Sequence, residues 1–508
     1  MLQETEYRAE ARSTSKPHVT RRIISGLTKV LERHRFALAA FLIPLTIRAI
    51  PEIIAGPYPI GYDTIGSYVP FMYDWAGGNF KQQFNPLIGG WIVYAIFGVV
   101  YISSHVDPVL LAKISAPALY GVLGFSQYFF SRKVLNWQAS KSLLFVIITS
   151  IYFVSLRVSW DLFRNTLALV ILFPSLVVNN NLSNHRRVAL LSVLVWLVVA
   201  THLLVGTLLL GIMIFQILEL RGHRLPRTLA ILPGGLQFTT SLAGFQLQGT
   251  NLFTLQNSAA EPLASYAFLI YIILPLLPMA TFGFRQVRNK LLRYWTLVCI
   301  VGVVISTTPI ATSSEIVTSD RWALMTCIPI AIFAVEGFTR LNLRYKTIHI
   351  TVNRTLQASW ISLILVLSVS FLILPAAQAL PYFDYFAPTS MLQSTVPLQD
   401  SQSIVAAINW LSINGKPSAA IMADHAMYGW FREYFHGNIS VISFVPGITL
   451  QQELEQTLQK GYTNVYTIWW VDHLGLYGEP TVPVGFALAH MEDRIGVFIY
   501  VQSSATSA

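Results

Sequence analysis

The chain has 508 residues, of which 54% are apolar and only 11% charged, with a mean hydropathy of +0.55. A soluble domain carries about a quarter charged residues, so the composition excludes that class and points to a polytopic membrane protein. The formal net charge of +10 does not mark a nucleic-acid binder, because the Lys and Arg stand in short loops between apolar runs, where they set orientation. No nucleic-acid partner is expected.

The first 35 residues are polar and basic, with Arg21, Arg22, Arg33 and Arg35. The apolar run 36–55 that follows reads as a retained membrane helix, since no small-residue cleavage site comes after it. Further runs lie near 84–104, 108–130, 142–158, 163–180, 187–220, 229–248, 263–284, 294–310, 322–337 and 357–376. As one helix, 187–220 would be about 50 Å long at 1.5 Å per residue. It is therefore divided into two spans turning at Thr201 and His202. Basic loops at Arg132/Lys133/Lys141, Arg186/Arg187, Arg221, Arg285–Arg293 and Arg340–Lys346 then fall at every second connection, the pattern of cytoplasmic loops. That alternation holds only if 84–104 is a peripheral or re-entrant helix. The expected fold is an α-helical membrane domain over 36–376 with about eleven spans, an outer loop at 56–83, a cytoplasmic N-terminus and the C-terminus outside.

Cys299 and Cys327 each stand inside an apolar run, which argues against a disulfide or cysteine–metal framework. From Gln378 onward four Lys/Arg face ten Asp/Glu, a charge of −6 that leaves +16 for the rest of the chain. In this segment short β-like runs alternate with helical ones. SQSIVAAINWLSIN, capped by Asp400, GWFREYF, and TLQQELEQTLQK, opened by Thr449, read as helices. SAAIMA, SVISFV, NVYTIWW and GVFIYVQ read as strands. The pattern predicts an extracytoplasmic α/β domain over 377–508 with a mostly parallel sheet.

This topology gathers on the outer face Asp63 and Asp74, the turn from Arg157 to Asn165, Thr201 and His202, Glu261, and the loop with Glu315, Asp320 and Arg321. Charges at the ends of spans are costly unless paired or hydrated, and they mark function. Asp63, in GYD, reads either as a turn former and helix N-cap or as a carboxylate at the water–lipid boundary. In the second reading it takes a proton from a hydroxyl acceptor or holds a divalent ion. Arg157 and Arg164 flank Asp161 and read as its ion-pair partners or as anion ligands. Arg321 beside Trp322 reads as an interfacial anchor or a phosphate ligand, and His202 as a packing residue or a site residue.

The first apolar run ends in R-x-I-P-E, Arg48 to Glu52, and is followed by G-P-x-P-x-G-Y-D, Gly56 to Asp63. With the many short-looped spans and the soluble segment after them, this order of features resembles the GT-C superfamily of integral membrane glycosyltransferases. It is most similar to archaeal-type members related to dolichyl-phosphate-mannose protein transferases and oligosaccharyltransferase catalytic subunits. The resemblance implies a donor sugar on a polyprenyl phosphate and a protein, lipid or glycan acceptor met at the bilayer surface. It implies Asp63 as catalytic base or acceptor-positioning group. Arg321, with Arg164 and Arg157, would bind the lipid phosphate, since guanidinium binds phosphate oxygens as a fork, and Asp161 would belong to the substrate-binding set beside them. His202 is similar to a histidine at a luminal helix turn of the superfamily, and Glu315 to a loop glutamate of oligosaccharyltransferases. A divalent ion, Mg or Mn, could be held through Asp63 and Glu315, but no ligand cluster demands one. IWWVDHLG, Ile468–Gly475, resembles the WWDYG motif of oligosaccharyltransferases but lies late in the soluble segment. The motif's usual place, after the first strand, is taken by ADHAMYGW, Ala423–Trp430. Ile468–Gly475 therefore reads as a strand end with core tryptophans.

Two other functions compete. A transporter or flippase of lipid-linked sugars would carry ionisable groups near the bilayer midplane, and Arg48 and Glu52 keep that reading open. A sugar-binding surface protein would leave Asp63 without a task.

Overall fold

The computed structural model describes residues 16–78, 90–219, 224–247, 260–287, 289–307, 319–341, 349–373, 396–444, 450–471 and 485–500. Helix α1 runs over Lys16–Ile54, and the loop after it leads into a short π-helix, Thr64–Tyr68, and α2, Val69–Ala76. Then follow α3 Trp91–Ser104, α4 Pro108–Lys133, α5 Ala139–Ile151, α6 Phe153–Asp161, α7 Phe163–Asn179, α8 His185–Thr201 and α9 Leu203–Glu219. The membrane part continues with α10 Arg224–Leu247, α11 Ala260–Ile273, α12 Leu277–Phe284, α13 Lys290–Ser306, α14 Ser319–Arg340 and α15 His349–Ile373.

Four segments, 34–54, 108–133, 319–340 and 354–373, are singly long and apolar enough to cross a bilayer, and two bent helix pairs bring the number to six. The chain is thus a largely helical membrane protein. Large apolar side chains such as Ile53, Val366 and Leu236 stand exposed around the bundle, as lipid contact requires. Where helices meet, small residues let backbones approach. A Cβ on Gly283 would lie 1.8 Å from the Phe333 carbonyl, and one on Gly337 1.9 Å from that of Met279.

The break at His202 is as expected: its backbone is extended, and the helical ladder stops at its N–H, bonded to Val198, and restarts from its C=O. Two runs read as single spans are instead broken. The 142–158 run bends by 68° at Tyr152, and 263–284 bends by 78° between α11 and α12. Pro275 and Pro278 lack helical donors, and at the bend Leu276 N bonds Ile273 O instead of Ile272 O, so carbonyls at the bend find side chains. Pro275 O accepts from Trp360 Nε1 at 2.7 Å. Ile272 O accepts from Tyr152 Oη and, at 3.5 Å, from Cys327 Sγ.

Contacts sort the helix ends. Ser265 Oγ meets Ser319 Oγ at 2.6 Å while Gly283 abuts Gly337, so the broken pair α11–α12 runs the length of α14. Helix α3 behaves differently. Gly90 N, at its start, bonds Ala200 O at 2.8 Å, and its later residues Tyr94, Phe97, Gly98 and Tyr101 touch Phe71, Tyr68, Trp75 and Tyr73 of the loop segment. Both ends of α3 therefore lie at the Asp63 end of the bundle, in keeping with a peripheral helix. Arg132, Arg186, Arg187, Lys290 and Arg340 stand at the opposite helix ends.

The C-terminal segment contains α16 Ser401–Asn414, β1 Ala419–Asp424, α17 His425–Tyr434, β2 Ser440–Phe444, α18 Leu450–Gln459, β3 Asn464–Trp470, β4 Phe486–Glu492 and β5 Ile495–Tyr500. The sheet order is β2-β1-β3-β5-β4. β1 pairs parallel with β2 and β3, whereas β3–β5 and β5–β4 are antiparallel. The sheet is thus mixed and not mostly parallel, because β4, absent from the sequence reading, forms a hairpin with β5. Its side chains are largely exposed, so it lacks the buried alternation that marks a strand. Asp400 does not cap α16. Its carboxylate instead accepts from Trp470 Nε1 at 2.8 Å and from Arg494 at 2.9 and 2.6 Å. Trp469 and Trp470 are buried core residues, as expected. Thr449 and the 376/377 boundary lie outside the described residues.

Candidate active site

The loop after α1 carries two glycines with positive φ, Gly56 at +61° and Gly61 at +90°. At Gly61 the requirement is also steric: a Cβ would lie 2.3 Å from Asp161 Cβ. Glycine thus lets the loop close on the bend between α6 and α7. There Asp63 N donates to Asp161 Oδ2 at 3.3 Å, while Arg157 Nη1 donates to Asp161 Oδ1 at 3.0 Å. Asp63 occupies the N-cap position of the π-helix, yet its carboxylate makes no capping bond, so the capping reading is not realised. A π-helical turn is rare and is found often at functional sites.

Arg157 and Asp161 are both almost fully buried. Removing one partner of such a pair strands a charge at a cost of about 3–5 kcal/mol. Besides Asp161, the charges of Arg321, Asp63 and Asp320 act on Arg157. Asp63, Arg157, Asp161 and Arg321 therefore form one electrostatic group, assembled from the first loop, α6 and the start of α14. Each stands within a turn of a helix end, where the chain can meet headgroups and water.

Arg164 occupies the next corner. It opens α7 beside Gly90, where a Cβ would lie 2.9 Å from its Cδ, and its guanidinium lies 6.0 Å from the Tyr94 ring centre. Arg164 and Asp63 both act on the buried Tyr68 phenol, whose pKa burial drives upward. Gly90 also joins this corner to Ala200, so His202, buried in the α8–α9 break, is placed with Arg164. Glu315 lies outside the described residues. The Mg or Mn site through Asp63 and Glu315 therefore lies partly outside the described residues; among those described, no group of three His, Cys, Asp or Glu suited to a metal occurs.

The loop is covered by the C-terminal segment. Helix α17 docks on it so closely that a Cβ on Gly429 would lie 2.7 Å from Ile65 O. Arg432 Nη2 reaches Asp74 at 3.2 Å, Tyr73 Oη donates to Glu433 Oε1 at 3.2 Å, and the Tyr58 and Trp430 rings lie 6.4 Å apart. This docking brings in one group absent from the sequence expectations. Asp424, at the carboxyl end of β1, lies near Tyr62, whose phenol is pushed up by burial and further by Asp63 and Asp424. The carboxyl ends of parallel strands are where open α/β sheets bind ligands. The available signal was positional: Asp424 opens ADHAMYGW, the stretch after the first strand.

A second anchor lies beneath the loop. Arg48, fully buried, donates to Ser159 O and Trp160 O, both at 3.0 Å, and to Glu52 Oε1 at 2.6 Å. Lys113 Nζ bonds Glu52 Oε2 and Tyr58 O, both at 2.8 Å. The two residues that suggested a transport path thus tie helix ends together.

The exposed Asp74–Arg432 pair contributes about 0–1 kcal/mol, so the tight Gly429 contact should dominate docking. Gly429→Val is expected to raise amide hydrogen exchange across 64–76 while β1 and β3 stay protected. Unchanged exchange in 64–76 would show that the helix does not hold the loop.

No protein-family model matches the chain, and no curated protein sequence is significantly similar to it. Solved structures are similar. The arabinofuranosyltransferase AftD from Mycobacteria aligns with a TM-score of 0.50 and 12% identity over 92% of this chain. ArnT from Cupriavidus metallidurans, solved bound to undecaprenyl phosphate, aligns with a TM-score of 0.49 and 11% identity over 94% of this chain and 98% of its own. This chain spans 40% of the AftD chain. The likeness to AftD shows a shared fold, and the chain has the GT-C fold.

Proposed function

We propose that the protein is a membrane glycosyltransferase that moves a sugar from a polyprenyl-phosphate-linked donor to a hydroxyl acceptor. The observation that carries this reading is the convergence of Asp63, Arg157, Asp161 and Arg321 at one end of an apolar bundle, beneath the docked α17. The fold shared with an arabinofuranosyltransferase supports a transferase. In the proposed reaction Asp63 takes the acceptor's hydroxyl proton as its oxygen bonds the anomeric carbon. The bond from that carbon to the phosphate oxygen breaks, and its electron pair leaves with the lipid phosphate. Arg321, with Arg164 nearby, stabilises the charge that grows there, while Arg157, already bonded to Asp161, holds the loop's partner in place. His202 and Glu315 complete the substrate-binding set in this proposal.

The proposed topology has about eleven spans over 36–376, the segment 1–35 inside and 377–508 outside, with α3 peripheral. The basic residues at the helix ends opposite Asp63 support that orientation. Because the native cysteines are buried, Arg186→Cys should label only from inside and Ile413→Cys only from outside. Labelling of both from one side refutes the topology.

Asp63→Asn preserves size and turn-forming ability but removes basicity. Turnover of a radiolabelled polyprenyl-phosphate sugar by the purified protein should fall by about 10²-fold or more, the range of a general base, with donor binding retained. Wild-type turnover in folded Asp63→Asn protein would sink the mechanism.

Arg321→Ala and Arg321→Lys separate charge from geometry, since lysine keeps the charge but lacks the fork. Both should weaken donor binding, Ala by about 1.5–3 kcal/mol, the size of a charge-assisted hydrogen bond. Unchanged donor affinity in Arg321→Ala would return Arg321 to interfacial anchoring.

A further inference from the structure

Glu52 is a buried carboxylate that the transfer chemistry does not use, and each of its oxygens faces a different cation. Oε1 takes Arg48 Nη2 at 2.6 Å and Oε2 takes Lys113 Nζ at 2.8 Å. The two cations hold the two flanks of the Asp63 loop. Lys113 bonds the Tyr58 carbonyl, five residues before Asp63, and also the Glu52 carbonyl at 3.1 Å. Arg48 takes the Ser159 and Trp160 carbonyls at the end of α6, immediately before Asp161, whose Oδ2 receives the Asp63 N–H. From the side of Tyr58, the path to Asp63 runs along the loop backbone. From the side of Asp161, it runs through a hydrogen bond. Both paths start at one carboxylate.

We infer that Glu52 is a positioning residue for Asp63, acting through Lys113 on the near side of the loop and through Arg48 and the α6 terminus on the far side. It does not touch the reacting atoms. Its charge keeps two cations in register, and their bonds to backbone carbonyls set where the loop sits against Asp161. A shift of about 1 Å in a reacting group can cost on the order of 10²-fold in rate, so the geometry this carboxylate fixes matters directly to catalysis. The inference rests on the proposed role of Asp63 for its catalytic consequence, but not for its structural one.

The test uses the full-length purified chain with Glu52→Gln, which keeps the side chain's size and loses its charge. The structural readout is amide hydrogen exchange over 58–68. It should rise in Glu52→Gln, with the soluble strands unchanged, and unchanged loop exchange in the folded variant would overturn the inference. The catalytic readout uses a radiolabelled undecaprenyl-phosphate-linked sugar that the wild-type chain turns over. Here kcat should fall by about 10–100-fold, with donor KM moving less than about threefold. Combining Glu52→Gln with Asp63→Asn should add no more than about threefold to the loss from Asp63→Asn alone, because residues acting through one another are not additive. Multiplication of the two losses would show that Glu52 acts elsewhere and refute the inference. Harmless Asp63→Asn with raised loop exchange in Glu52→Gln would refute the transfer mechanism and leave the structural inference standing. If Glu52→Gln fails to fold, Lys113→Met removes only the near-side tether. It should raise exchange at 58–63, and no rise there would equally overturn the inference.

Discussion

Inside a bilayer no water is present to receive a bare carbonyl, and each unsatisfied backbone group costs several kcal/mol. The architecture of this chain follows from how it meets that constraint at the places where helices stop. At the end of α6 the answer is a guanidinium: Arg48 accepts the burden of the Ser159 and Trp160 carbonyls. A charge buried for this purpose needs a counter-charge, supplied by Glu52, which in turn draws in Lys113. The result is a set of ionic contacts beneath an irregular loop, and the loop can then be irregular because its surroundings are rigid. The carboxylate and arginines at the surface are held by this understructure.

The C-terminal segment serves the same end from the other side of the loop. It contacts the loop through helix α17 rather than through a strand edge, and the closest approach is between a glycine and a carbonyl. Such a contact depends on backbone shape and is insensitive to ionic strength, unlike the exposed Asp74–Arg432 pair, which salt screens. Burial raises the Tyr62 phenol, and the charges of Asp63 and Asp424 raise it further.

Much of this was legible in the sequence because its signals are local or global in simple ways. The apolar runs, the alternation of basic loops and the GYD triplet led to a helical bundle with Asp63, Arg157, Asp161 and Arg321 at one end, and the structure brings those four together. Charge parity in the sequence argues for a peripheral α3, and the helix contacts residues 68–75 of the loop segment. Hydrophobicity was blind to the bends at Tyr152 and Pro275, because a bent apolar helix has the same composition as a straight one. The parallel sheet was over-read because β4 buries too little to show a period of two. Asp400 looked like a cap from its position before a helix, and only the fold reveals that Trp470 and Arg494, distant in sequence, compete for it. Asp424 carries only a positional signal in the sequence, and Glu52 reads there as the mark of a transport path, for the same reason: their partners Tyr62 and Lys113 are brought close only by tertiary structure.

The bent pair α11–α12 has a bearing on how the protein is made. The carbonyl exposed by the break at Pro275 is satisfied by the indole of Trp360, 85 residues further along the chain. When α11 and α12 first leave the ribosome, that partner has not been synthesised, and lipid offers no substitute. The pair must therefore remain in a hydrated setting, in the translocon or against earlier helices, until α15 arrives. Assembly of this bundle cannot proceed strictly one helix at a time from the N-terminus, and its final packing step belongs to the last helix of the membrane part.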